Sequence, residues 1–166
     1  NGAVQQSAAR LLGIEDEGLT GDFAAQFGAN QIGVTRLEQL VKKMGLTVFN
    51  RRITQLNDFA EGLASLAISR LKSGEYRFVD YLDDDGCGTE QIQLVVHIHI
   101  TSDTVILDFT ESSCMVKGNL NCPEAVVAAA SFYCFRCLMP SYTPACHGLF
   151  RNIKIKTLEG SILSAK

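Results

Sequence analysis

The stretch Lys117-Gly118-Asn119-Leu120-Asn121-Cys122-Pro123 concentrates polar chemistry just before a segment that reads as a helix. The first turn of a helix offers free backbone N–H groups and the positive end of the dipole to anions and polar oxygens. Two carboxamides at that place, Asn119 and Asn121, suit contacts to a polar ligand; they suit capping of the helix equally well. The residues alone leave both readings open.

Other groups invite chemistry less strongly. His97 and His99 stand two apart on a predicted strand, so both point to one face, a spacing found in some metal sites. No third ligand stands at a telling distance, and a solvated face is the expectation. Cys134-Phe135-Arg136-Cys137 is a single C-x-x-C, with Cys146-His147 beyond it. Zinc ribbons need a second pair at set spacing, and this pair lies inside an apolar helical stretch, so buried core thiols are expected. Asp83-Asp84-Asp85-Gly86 has oxygens suited to Ca²⁺ or Mg²⁺ but lacks the alternate spacing of an EF-hand; a solvated turn is expected. Asn30, in an otherwise apolar helical seam, reads as a register-setting or locally hydrogen-bonded group. The phosphate-binding, dinucleotide, metalloprotease and serine-hydrolase signatures are all missing. No catalytic residue and no metal ligand is therefore assigned.

The elements that must hold these residues can be read from periodicity. Phe23, Phe27, Asn30, Val34, Leu37, Val41 and Met44 keep a 4-3 spacing and predict one helical seam, opened at Gly21-Asp22 and stopped at Gly45. A second seam, Phe49, Ile53, Leu56, Ala60, Leu63, Ala67 and Leu71, follows a cap at Thr47 and ends at Gly74. The short link predicts an antiparallel helical hairpin over 20–73. From Gly74 the period drops to two: Tyr76, Phe78 and Leu82 form one strand, and Ile92, Leu94, Val96, Ile98 and Ile100 the apolar face of the next. Val105, Leu107 and Phe109 return beside it. Pro123 suits the first helical position of a further helix over 122–139, and Phe150, Ile153 and Ile155 suggest a last strand. Helices and strands are segregated along the chain, which predicts an α+β fold: the hairpin, then a mostly antiparallel sheet of about four strands with one helix, over 75–163.

Length and composition bound the rest. A chain of 166 residues is domain-sized, and 46% apolar with 20% charged residues is an ordinary globular balance, which excludes disorder and collagen-like repeats. A net charge of -3 gives no reason to expect a nucleic-acid or anionic-membrane partner, and no apolar run approaches the roughly 20 residues of a membrane-spanning helix. Six cysteines in a chain with this much apolar sequence read as reduced thiols of a cytosolic protein rather than a disulfide framework. Starting at Asn1 and stopping at Lys166 after an apolar stretch, the sequence reads as one internal segment, 1–166, of something longer.

Several blocks then fall into a familiar order. Gly21-Asp22-Phe23 to Asn30 with Gly33 and Arg36-Leu37, Gly74-Glu75-Tyr76-Arg77-Phe78 through Gly86, Val105 to Thr110 with Ser112-Ser113, Lys117 to Val126, Tyr133 with Arg136-Cys137-Leu138, Gly148 to Arg151 and Glu159-Gly160-Ser161 resemble blocks of the hydantoinase B/oxoprolinase family. The resemblance covers about Gly21 to Ser161. It implies a quarter to a third of a subunit of an ATP-dependent hydrolase of cyclic amides, of the N-methylhydantoinase or 5-oxoprolinase kind. It implies ATP and Mg held by a hydantoinase A-type partner subunit or half-chain, a divalent-metal site upstream of this segment, and a cytoplasmic hetero-oligomer. Phosphorylation of the amide oxygen, on this scheme, removes the resonance that protects the ring and lets water open it. Gly118, Asn119 and Asn121 become the expected substrate contacts in a cavity wall, with Asp22, Gln26, Asn30 and Arg36 holding structure. A ketone carboxylase subunit of the acetone carboxylase type and a non-catalytic partner-docking domain are the alternatives. Asn152, Lys154 and Ala145-Cys146-His147 depart from the family pattern and leave the particular substrate open.

Overall fold

The structure is a computed structural model that describes residues 17–165. It falls into two compact units, through Ile53 and from Thr54 onward.

The first unit holds helix α1, Glu17–Met44, and the opening turns of helix α2, Leu46–Ile68. Helix α1 is already running at Glu17, so Gly21-Asp22 lies inside it rather than opening it. Gly45 is the whole link: at φ 80 it takes the left-handed conformation that stops a helix without a Cβ penalty. Its N–H donates to the Val41 carbonyl at 2.8 Å and its own carbonyl accepts from Phe49 N–H at 2.9 Å, so one glycine ends α1 and begins α2. Thr47, the expected cap, sits one residue inside α2. Along the seam of α1, Phe23, Val41 and Met44 are half-buried, while Phe27, Val34 and Leu37 stay exposed.

The second unit is built on a four-stranded sheet in the order β1-β2-β3-β4: Gly74–Asp84, Glu90–Ile100, Val105–Asp108 and Ile153–Lys156. The first two pairings are antiparallel; β4 runs parallel to β3, because helix α3, Glu124–Cys137, carries the chain across between them. The α+β architecture and mostly antiparallel sheet expected from the sequence are what the chain adopts. Phe150, expected in the last strand, belongs instead to a 3-10 turn over His147–Phe150 just before it.

One face of the sheet makes the core. Ile68, Val105, Leu107 and Ile153 are buried together, with Val96, Ile98, Phe109, Phe132 and Phe135 packed against them. Phe132 stacks on Phe150 at a centroid distance of 4.1 Å. Each fully buried Val, Leu or Ile of this kind contributes about 1.5–3 kcal/mol. Helix α2 enters the core with Ala60, Ala64 and Ile68, a strict four-residue stripe. Ala60 is on the expected seam, Ala64 and Ile68 each lie one position past the expected Leu63 and Ala67, and the helix ends at Ile68, before the expected Leu71 and well before Gly74. Small residues at two of the three positions let its backbone come close to the turn that precedes β4. There Gly148 N–H donates to Asn57 Oδ1 at 2.6 Å, Arg151 pairs with Asp58 and Glu61 at 3.0 and 2.7 Å, and Asn152 donates to Ser65 Oγ at 2.8 Å.

Candidate functional site

The turn between β1 and β2 is organised by one carboxylate. Asp85, the third acid of the Asp83–Asp85 run, is buried rather than solvated. Its Oδ1 accepts from the N–H groups of Cys87 at 2.8 Å and Thr89 at 2.9 Å, and its Oδ2 accepts from Gly118 N–H at 3.1 Å. Its own N–H closes the turn on the Thr89 carbonyl at 3.0 Å. The Thr89 N–H above all, then those of Cys87 and Gly118, hold this carboxyl down at about 2, against the burial that pushes it up. A folded-state value below the unfolded one stabilises the fold fully above the ordinary carboxylate value of 3.8, and that stabilisation fades as pH falls through about 2. Acid unfolding followed by circular dichroism should therefore be steeper between about pH 4 and 2 for the natural protein than for an Asp85→Asn variant. Parallel curves would show that the three N–H contacts do not select the ionised form.

Gly118, one of the expected substrate contacts, is buried against this carboxylate. A Cβ at Gly118 would run into the Asp85 carbonyl, with the Asp85 Cβ only 2.7 Å away. The loop that follows is tied a second time, by Asn121. Its Oδ1 accepts from Val116 N–H at 2.9 Å, and its Nδ2 donates to the Val116 carbonyl at 2.8 Å and to the Gly118 carbonyl at 3.4 Å. Both ends of that carboxamide are spent on the loop itself. The tip between the two ties, Asn119-Leu120, is exposed, and no side-chain hydrogen bond holds Asn119 among the described residues.

Neither asparagine caps helix α3. Pro123 is the N-cap residue rather than the first helical position, and no side-chain cap hydrogen bond is made there among the described residues. The site is a clamped loop beside a helix, not a helix N-terminus opened to a ligand.

The surroundings are stitched in the same manner. Ser112 Oγ accepts from Val95 N–H at 3.0 Å and donates to the Val95 carbonyl at 3.1 Å, while Ser113 takes Gln93 N–H on its hydroxyl and gives its own N–H to the Gln93 carbonyl. Two serines thus extend the β2 ladder where β3 has ended. The segment 160–165 runs alongside, with Ile162 N–H on the Ser113 carbonyl and Cys122 N–H on the Ile162 carbonyl. Between the β1–β2 turn and residues 113–117 lies a cavity of ≈ 500 Å³, the size of a small-ligand cleft, with Cys87, Thr89, Gln91, Ser113, Met115 and Lys117 in its wall. Asn119 is outside that wall. An apolar groove of ≈ 310 Å³ separates Phe78, Leu94 and Val96 from Val126 and Val127 of α3.

His97 and His99 do share the outer face of β2. His97 Nε2 lies 3.0 Å from Glu111 Oε2, a contact without hydrogen-bond alignment, and Arg77 reaches the same carboxylate at 3.3 Å. His99 Nδ1 lies 3.5 Å from Glu75. His97 and then Arg77 hold the Glu111 carboxyl below its usual range, and Thr110, with help from Lys156, does the same for Asp108. These half-exposed pairs contribute little to stability. Cys134 and Cys137 are exposed, not buried core thiols: in the last turns of α3 it is Phe132 and Phe135 that reach the core. All six cysteines are free, and none is fully buried. Among the described residues no three His, Cys, Asp or Glu side chains converge as a metal set. No described helix is long and apolar enough to cross a membrane.

The family model for hydantoinase B/oxoprolinase matches residues 15–166. The chain belongs to the hydantoinase B/oxoprolinase family. It is 30% identical over 161 residues to 5-oxoprolinase 1 of Arabidopsis thaliana, covering 86% of this chain and 12% of that protein. It is 29% identical over 149 residues to the 5-oxoprolinase of Saccharomyces cerevisiae, covering 87% of this chain and 11% of that one. The ATP-dependent caprolactamase of Pseudomonas jessenii has the same fold, with a TM-score of 0.73 at 23% identity over 88% of this chain and 25% of the solved one. The chain thus spans about an eighth of the plant oxoprolinase and about a quarter of the solved caprolactamase chain.

Asp85 is the residue that sequence reasoning missed. Nothing in the run of three acids itself separates it from Asp83 and Asp84; it is set apart by its bonds to Cys87 and Thr89 in the turn and by its contact with Gly118, 33 residues away.

Proposed function

We propose that this chain is part of the B-type subunit or half-chain of a cytoplasmic, ATP-dependent hydrolase of cyclic amides, and that it supplies one wall of the substrate cavity. The relatives support the class: oxoproline and caprolactam, the rings in their names, share a cyclic amide. The observation that carries the reading is the loop tip, where Asn119 stands exposed between two fixed points. A carboxamide offers one acceptor and two donors, and a lactam presents a C=O and an N–H side by side, so the two are complementary. Activation of the ring belongs on this reading to ATP and Mg on an A-type partner. This chain's part is to orient the ring and keep it from turning. Asn121, with both ends of its side chain occupied, serves by shaping the loop.

The test uses the full parent protein with its partner, ATP, and 5-oxoproline, hydantoin and caprolactam in turn. Asn119→Ala removes the paired carboxamide contact from an exposed position, so KM for the accepted ring should rise roughly 10-fold or more with thermal stability unchanged. Asn121→Ala should instead lower the melting temperature. Unchanged kinetics in Asn119→Ala for every ring that turns over would refute the contact.

A further inference from the structure

We infer that Asp85 is the positioning residue for the Asn119 contact, a role that rests on the reading of Asn119 just given. A single carboxylate serves both partners of the junction. Oδ1 organises the β1–β2 turn through Cys87 and Thr89, and Oδ2 reaches across to the loop through Gly118. The turn itself is held in shape around it: Gly86 and Gly88 take φ values of 70 and 98, and Asp84 Oδ1 accepts from Gly86 N–H at 2.8 Å. The loop has no room to move toward or away from the turn. On one side the Gly118 backbone already lies against the Asp85 carbonyl, and on the other Asn121 closes the loop on Val116. Gly118 is followed at once by Asn119, so the carboxylate fixes the backbone from which the recognition side chain springs.

Such a device has a physical purpose. A loop that must order itself on binding loses affinity for each group immobilised, and a loop ordered beforehand does not. The two strands that carry the turn are long and paired from Gly74↔Ile100 to Asp84↔Glu90. The sheet is therefore the rigid body to which Asp85 ties the tip.

The two oxygens also make the role separable from bulk stability. Asparagine at 85 keeps one oxygen, which can still serve the turn, and sets an NH₂ group against Gly118 N–H. Asp85→Asn therefore cuts the arm to the loop and spares the arm to the turn. In the full parent protein with its partner and ATP, assayed on whichever of 5-oxoproline, hydantoin or caprolactam it opens, Asp85→Asn should raise KM about 10-fold with kcat within about twofold. Val105→Ala, a core change with no contact to the loop, should lower stability at least as much and leave KM alone. The Asp85→Asn, Asn119→Ala double variant should be no worse than Asn119→Ala, because both remove the same contact. Additive losses, or an Asp85→Asn protein indistinguishable in KM from Val105→Ala, overturn the positioning role while the Asn119 contact survives. An unchanged KM in Asn119→Ala alone defeats the contact instead. Should Asp85→Asn fail to fold, amide exchange in the natural protein decides: Gly118 N–H should be protected to the level of Thr89 N–H, and exchange as fast as that of Asn119 overturns the clamp.

Discussion

Gly118→Ala is expected to destabilise the second unit by about 3 kcal/mol, the upper end of what overpacking a close-packed site costs. The reason is space, not backbone conformation, because Gly118 is not among the glycines with positive φ. The methyl group would have to occupy the position of the Asp85 carbonyl, whose carbon and side-chain Cβ stand 2.8 and 2.7 Å from the new atom. Backbone on one side and an acid already committed to three N–H groups on the other leave nothing flexible to yield. Separating the loop from the turn would relieve the clash, and in doing so would leave Oδ2 of a buried carboxylate without its donor, a further loss of the kind that makes unsatisfied buried groups costly. Gly86→Ala is the useful contrast. No atom stands within 4 Å of a Cβ there, and only the φ of 70 opposes it, so its cost should stay near ~1 kcal/mol. Chemical denaturation of the two variants checks the order: a Gly118→Ala midpoint equal to that of Gly86→Ala would mean that the contact with Asp85 is loose.

Contacts such as this one, between residues far apart in the chain, are what a sequence conceals, while local signals it displays. The strand β2 was legible because its alternation of Ile92, Leu94, Val96 and Ile98 with polar residues is a local signal, and Val96, Ile98 and Ile100 of that row pack on the core. Gly45 was legible because a helix stop needs only one residue and its neighbours. The Gly-Asn-Leu-Asn loop was legible as polar and as lying before a helix, but not as a clamped loop, since its ties run to Asp85 and Val116 rather than to the helix. The position of Cys134 and Cys137 was illegible for a different reason: α3 is apolar on nearly every side, so periodicity does not say which face meets the sheet. The parallel pairing of β4 was hidden too, because four residues, Ile153–Lys156, carry no sign of direction; the crossover through α3 supplies it.

Gly148→Ala is the companion case, and it tests how helix α2 is held. Like Gly118, Gly148 is not among the glycines with positive φ, and a Cβ on it would run into the Asn57 carbonyl, with Asn57 Cα 2.6 Å away. The obstacle is the backbone of a helix, which cannot shift one residue without breaking its own ladder. The only relief is for α2 to lift from the turn at His147–Phe150. That movement would pull Asn57 Oδ1 off Gly148 N–H, part Arg151 from Asp58 and Glu61, and open the contact of Ala64 with Leu149 and Met139. Leu149 is fully buried, and exposing even part of it adds to the overpacking loss, so about 3 kcal/mol is again expected. The pattern of damage should differ from that of Gly118→Ala. Amide exchange ought to accelerate in α2 from Asn57 to Ile68 and around Leu149, while the β1–β2 ladder and the Asp85 turn keep their protection. His147→Ala, one residue earlier on an exposed side chain, should leave all of these unchanged. If Gly148→Ala protects α2 as well as the natural residue does, the close approach of helix and turn is not what holds this part of the core, and the ion pairs of Arg151 become the remaining candidates.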